Sequence, residues 1–118
     1  MWDIEYSHEF GAWWLTLSED EQESVNASVN QLRAVGPQLG RPYADTVHGS
    51  KHSNMKELRT QHGGRPLRTF FAFDPRRTAI LLIGGDKTGD DRFYERMIPL
   101  ADRLFDEYLK ELRQEGLI

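Results

Sequence analysis

Residues 55–89 read MKELRTQHGGRPLRTFFAFDPRRTAILLIGGDKTG. Three strand-like runs, at roughly 54–60, 66–73 and 78–84, are separated by QHGGR and DPRR. Gly-Gly and Asp-Pro supply the backbone freedom and preset φ that tight turns need, so the stretch predicts an antiparallel three-strand meander. TAILLI is apolar on both parities, as expected of a strand covered on both faces. Alternation puts Glu57 and Arg59 on one face with Leu58 on the other, and puts Arg68 on the face of Phe70 and Ala72. Pairing across the Gly-Gly turn brings Arg59 and Arg68 together. Like charges side by side are destabilising unless something anionic offsets them. Two readings stand: an ion-pair network around Glu57, or a site for a phosphate.

Outward from the meander, Trp2, Ile4 and Tyr6 alternate with Asp3 and Glu5, which predicts a first strand. SHEFGAWWLTL spaces Phe10, Trp13 and Trp14 for a short helix, and Ser18 with Glu21 forms a capping box that opens a second. Val25, Val29, Leu32 and Val35 stripe that helix to its stop at Gly36-Pro37. The two make a helical hairpin. QLGRPYADTVHGSKHS, from Gln38 to Ser53, reads as a long connection, a length often tied to function. On the far side, Phe93, Met97, Ala101, Leu104, Phe105, Tyr108, Leu109 and Leu112 stripe a C-terminal helix. The expected fold is α+β: one domain over 1–118, with the helices on one sheet face and the arginines looking out from the other.

The chain has 118 residues and a net charge of −4, which argues against general nucleic-acid binding. The charge is divided, however. From His48 to Arg92 there are nine Lys/Arg against five Asp/Glu, so the flanks carry −8 around a +4 centre. For the hairpin-turn pair Arg76-Arg77 loop solvation is the plainer reading, whereas Arg59 and Arg68 lie inside strands. Cysteine is absent, which excludes disulfides and thiolate metal sites and fits a reducing compartment. MWDIEYSHEF lacks the basic and apolar segments of a signal peptide, and no run is long enough for a spanning helix, so the expectation is a cytoplasmic protein away from membranes.

LLIGGDKTG is not a Walker loop, because Asp86 stands where a glycine must precede Lys87 and no glycine lies five residues earlier. Its glycines permit close backbone approach and bring Lys87 to the end of the sheet. Histidines 8, 48, 52 and 62 have no metal-ligand spacing. No metal or cofactor is expected. His52 is an acid/base candidate from its ordinary titration range, against the plainer reading of an exposed loop residue.

With these residues in hand, GSKHSNMKELR, PLRTFFAFDPRRTAILLIGGDKTG and FYERMIPLADRLFDEYL together resemble the RelE/ParE toxin superfamily, in the HigB-like, phage-related branch of type II toxin–antitoxin systems. The resemblance covers nearly the whole chain. It implies a small α+β ribonuclease that cleaves messenger RNA on the ribosome and is neutralised by a cognate helix-turn-helix, HigA-like antitoxin. It matches Arg68 and Lys87 to basic positions of relatives. Many of those have two adjacent basic residues where this chain has only Lys87 beside Asp86. RelE toxins carry lysine at the position of Glu57, which makes Arg59 the cation to consider there.

The chemistry so implied is attack of the RNA 2′-hydroxyl on the adjacent phosphorus. Arg59 and Arg68 would hold the phosphoryl oxygens, and Lys87 would add charge or support the leaving group. Glu57, His52 and Tyr94 are the candidates for proton transfer or base contact, and Lys51, Lys56, Arg65 and Arg76 for further contacts to RNA. The alternatives are a ParE-like inhibitor of DNA gyrase and a non-catalytic module whose arginines hold an acidic partner.

Overall fold

A computed structural model describes residues 1–118. The elements follow as β1 (Ile4–Tyr6), α1 (His8–Trp14), α2 (Glu19–Val35), a 3-10 turn (Gly36–Gln38), β2 (Ala44–Thr46), β3 (Lys56–His62), β4 (Arg65–Phe73), β5 (Ala79–Asp86) and α3 (Phe93–Gln114). The strands form one sheet in the order β1-β5-β4-β3-β2. The predicted meander is its centre. β1 adds in parallel to β5 at one edge and β2 adds antiparallel to β3 at the other. The segment read as one long connection therefore contains a strand, β2, whose three residues are too few to show a period.

Local signals place the helices. The Ser18 hydroxyl accepts from the Glu21 amide at 3.2 Å and Glu21 accepts from the Ser18 amide at 2.7 Å, closing the capping box of α2. Gly36 ends it with φ 75°, a conformation that favours glycine, and a Cβ there would stand 2.3 Å from the Trp2 ring.

The helices do not share one face. α1 and α2 lie on one side, over a core of Phe10, Val25, Val29, Leu32, Leu58, Leu67, Phe71 and Leu81. α3 lies on the other, over Met55, Phe70, Ala72, Ile80 and Leu82, with Phe93, Met97, Ala101, Leu104 and Phe105 as its contribution. The expectation of an open arginine face is thereby corrected: a strongly amphipathic 22-residue helix requires an apolar partner of its own, and Phe70 and Ala72 provide it beside Arg68. No helix is long and apolar enough to cross a membrane.

One irregularity bears on the site. Phe70 pairs with Ile83 but Phe71 pairs with Leu81, so Leu82 is an extra residue in β5. This bulge flips the alternation beyond it. Gly84 turns to Trp13 of α1, whereas Gly85 turns to Phe93 of α3, with Cβ positions only 2.2 Å and 2.8 Å from those rings. The glycines let a helix approach the sheet on each face, and the bulge delivers Lys87 to the side of α3.

Candidate functional site

Five side chains converge where β3, β4, the end of β5 and the first turn of α3 meet: Glu57, Arg59, Arg68, Lys87 and Tyr94. Register explains the first three. Arg59 and Arg68 are direct cross-strand partners, and Glu57 pairs with Phe70, so all three point to the α3 side. Glu57 is 5% and Arg68 7% exposed. The Glu57 carboxylate is flanked by Arg59 Nε at 3.5 Å and Arg68 Nε at 3.8 Å, and it accepts from Tyr94 Oη at 2.7 Å. Lys87 Nζ lies 3.5 Å from Tyr94 Oη and 5.2 Å from the centre of its ring.

Three cations thus face one carboxylate. The contacts from Glu57 to Nε of Arg59 and Arg68 are electrostatic only, and both Nε atoms are buried without a hydrogen-bond partner. A guanidinium with an unused buried donor is a costly arrangement. An anion lying across both would complete it. Burial, and after it the neighbouring Arg68, holds the Lys87 ammonium below the usual lysine range. Burial, and then the Glu57 carboxylate, pushes the Tyr94 hydroxyl up, so it stays protonated as a donor at neutral pH. Asp86 does not neutralise Lys87. It points the other way, taking Arg65 at 3.1 Å and the Thr88 hydroxyl at 2.6 Å.

The remaining predicted residues lie elsewhere. His52 Nε2 is 2.7 Å from Asp106 of α3, with its ring edge-on to Phe105, and none of these contacts belongs to the cluster. Lys51 pairs with the same Asp106, while Ser50 Oγ donates to Asp102 at 2.5 Å and the Lys51 amide donates to that carboxylate at 3.0 Å. The Ser50–His52 segment is therefore a clamp that fixes α3 over the sheet. Sequence reading missed the two acids that make it. The available signal was a pair of carboxylates four residues apart along the border of the apolar stripe of α3. Lys56 turns to the opposite face and donates to the Pro37 carbonyl at 2.9 Å. Arg65 is paired with Glu21 and Asp86, and Arg76 with Asp74 and Glu5, so these charges are already matched.

No group of histidine and acidic side chains is arranged to hold a metal ion. The cluster offers fixed donors, one carboxylate and one ammonium within a few ångströms, which suits binding and proton management at a phosphodiester.

Residues 12–106 match the family described as phage derived protein Gp49-like (DUF891). Over 98 residues the chain is 46% identical to "Putative toxin HigB3" of Mycobacterium tuberculosis, covering 82% of this chain and 84% of that protein. Over 102 residues it is 45% identical to "Putative toxin HigB2" of the same organism, covering 85% of this chain and 51% of that longer protein.

Proposed function

The chain belongs to the phage-derived Gp49-like family and is HigB-like, and from that premise we propose that this toxin of a toxin–antitoxin pair is a metal-independent endoribonuclease acting on messenger RNA at the ribosome. Its proposed partners are the ribosome with its messenger and a cognate helix-turn-helix antitoxin. The observation that carries the nuclease reading is the excess of cationic groups in the cluster, with two buried guanidinium donors unused.

In the proposed reaction, the scissile phosphate lies across Arg59 and Arg68, whose planar forks fit its oxygens. The 2′-oxygen attacks phosphorus and its proton passes to Glu57, whose second oxygen holds the Tyr94 hydroxyl. The bond to the 5′-oxygen breaks, and Lys87 supplies the proton that oxygen needs. The products are a 2′,3′-cyclic phosphate and a 5′-hydroxyl. Charge grows on the phosphoryl oxygens as the transition state forms, so fixed guanidinium donors stabilise it more than the ground state. The depressed proton affinity of Lys87 makes it a better acid than a solvated lysine. Tyr94 and Glu57 hold each other, which keeps the carboxylate aimed between the arginines.

Reverse-transcription mapping of messenger RNA, with and without translating ribosomes, tests this reading. Cuts that require ribosomes and disappear in folded Arg59→Ala and Arg68→Ala variants are expected. Intact RNA in every lane would end the nuclease reading and leave the gyrase alternative to be assayed.

A further inference from the structure

A largely apolar concavity lies away from the cluster, where β1, α1 and α2 meet. It measures about 750 Å³ and is walled by Ile4, Tyr6, Phe10, Trp14, Leu15 and Val29. The Tyr6 ring lies against α1, 3.5 Å from where a Cβ at Gly11 would stand. Tyr6 is 68% and Leu15 80% exposed, so large apolar side chains here face water together.

Beside this groove the sheet has an open edge, since β1 is the last strand of the order. The Asp3 carbonyl accepts from the Ala79 amide at 3.0 Å and the Ser7 amide donates to the Leu81 carbonyl at 2.9 Å. Residues at this parity face β5, so the N–H and C=O groups of Ile4 and Tyr6 point outward from the edge. The opposite edge strand, β2, is blunted by the adjoining Arg41–Asp45 ion pair. Charge adds a third feature. Arg33 lines the groove, and its carbonyl accepts from the Trp2 amide at 2.9 Å, which sets it beside the start of β1. Its guanidinium donates to Asn30 at 2.6 Å and meets no carboxylate.

We propose that this edge and groove bind an extended segment of a partner protein. The segment adds to β1 as a further strand, seats alternate apolar side chains against Tyr6, Trp14 and Leu15, and places a carboxylate on Arg33. Main-chain pairing supplies affinity in such strand addition, and the groove and Arg33 supply specificity. The surface lies on the α1/α2 side of the sheet, so a bound segment leaves the Arg59–Arg68 cluster uncovered. The docking does not depend on the nuclease reading; only the identity of the partner as an antitoxin rests on the toxin assignment.

Panning a random dodecapeptide phage library on the full chain, followed by anisotropy titration of the enriched peptides, tests the proposal. Leu15→Lys and Arg33→Glu are the variants, with folding checked by circular dichroism. Enriched peptides are expected to alternate apolar and polar residues and to carry an acid. Leu15→Lys should weaken them roughly tenfold or more, and Arg33→Glu should do likewise until the peptide's acid is exchanged for lysine. Three results would overturn the proposal: no enrichment, peptides that bind both variants within about twofold of the parent, or a dimer of this chain that Leu15→Lys dissolves.

Discussion

Arg68→Met should make the protein more stable while removing its anion site. The lost attraction is that between Arg68 and Glu57 at 3.8 Å, on the order of 4 kcal/mol at an effective dielectric near 20. Two costs that together match or exceed it disappear as well. Guanidiniums flanking one carboxylate at 3.5 and 3.8 Å stand on the order of 6 Å apart, a repulsion of about 3 kcal/mol on the same scale. The partnerless buried Nε of Arg68 costs about 1–3 kcal/mol more. Glu57 keeps Arg59 and Tyr94, so no bare charge is left, and the methionine fills the space of the arginine stem. The net expectation is a gain of about 0–2 kcal/mol, or roughly 4 °C in Tm per kcal/mol for a chain of this size. Glu57→Gln should do the opposite, losing about 3–5 kcal/mol by leaving three cations uncompensated. Inorganic phosphate should raise the Tm of the parent, by about 1.4 kcal/mol of stability at ten times its Kd, and should not raise that of Arg68→Met. Thermal denaturation of the three proteins with and without phosphate decides the matter. A loss of 2 kcal/mol or more in Arg68→Met, with no phosphate effect on the parent, would mean that the cluster is a closed ion-pair network and not an anion site.

Other consequences follow from the same contacts. Lys87 loses protons more readily in the fold than in the unfolded chain, so its cost is fully present below its folded proton affinity and is relieved as pH rises toward the ordinary lysine range. Lys87→Met should therefore raise stability near neutral pH, and urea titrations should show that gain shrinking as the solution is made alkaline. Gly85→Ala sets a Cβ 2.8 Å from the Phe93 ring and should cost about 1–3 kcal/mol by pushing out the first turn of α3, with RNA cleavage falling as Tyr94 moves. Ser18→Ala opens the capping box and should cost about 1 kcal/mol by the same urea measurement while leaving cleavage unchanged. Treating the protein with saturating EDTA, removing the chelator and returning the protein to translating ribosomes in magnesium should leave the cut sites and rate as they were.

The elements with a strong period were legible in the sequence. The α3 stripe from Phe93 to Leu112 is buried at six of its eight positions, the exceptions being Tyr108 and Leu109, which are only partly buried. Val35, read as the end of the α2 stripe, is 43% exposed because the helix stops there and Trp2 fills the space at Gly36. The pairing of Arg59 with Arg68 followed from turn position and parity alone. Layering was less accessible. The face of α3 depended on Phe70 and Ala72 sharing parity with an arginine, a pattern equally consistent with an open surface. The Leu82 bulge was hidden in a uniformly apolar run, and that bulge decides that Lys87 rather than Asp86 faces α3. For the site, the cations were visible as strand residues out of keeping with their surroundings. Their shared carboxylate geometry, the Tyr94 contact and the clamp of Asp102 and Asp106 on the Ser50–His52 loop are long-range contacts that no local pattern encodes.

In the proposed reaction the strand arginines hold an RNA phosphate through the donors now unused. The direct measurement is a side-chain ¹H–¹⁵N spectrum of the arginine Nε–H groups during titration with a 2′-O-methyl RNA oligonucleotide, which binds like substrate but lacks the attacking hydroxyl. The signals of Arg59 and Arg68 should shift together and saturate at one affinity, with the Arg41 and Arg103 signals unmoved. Shifts confined to surface arginines, with Arg59 and Arg68 unchanged at saturation, would show that the phosphate is not held at the cluster.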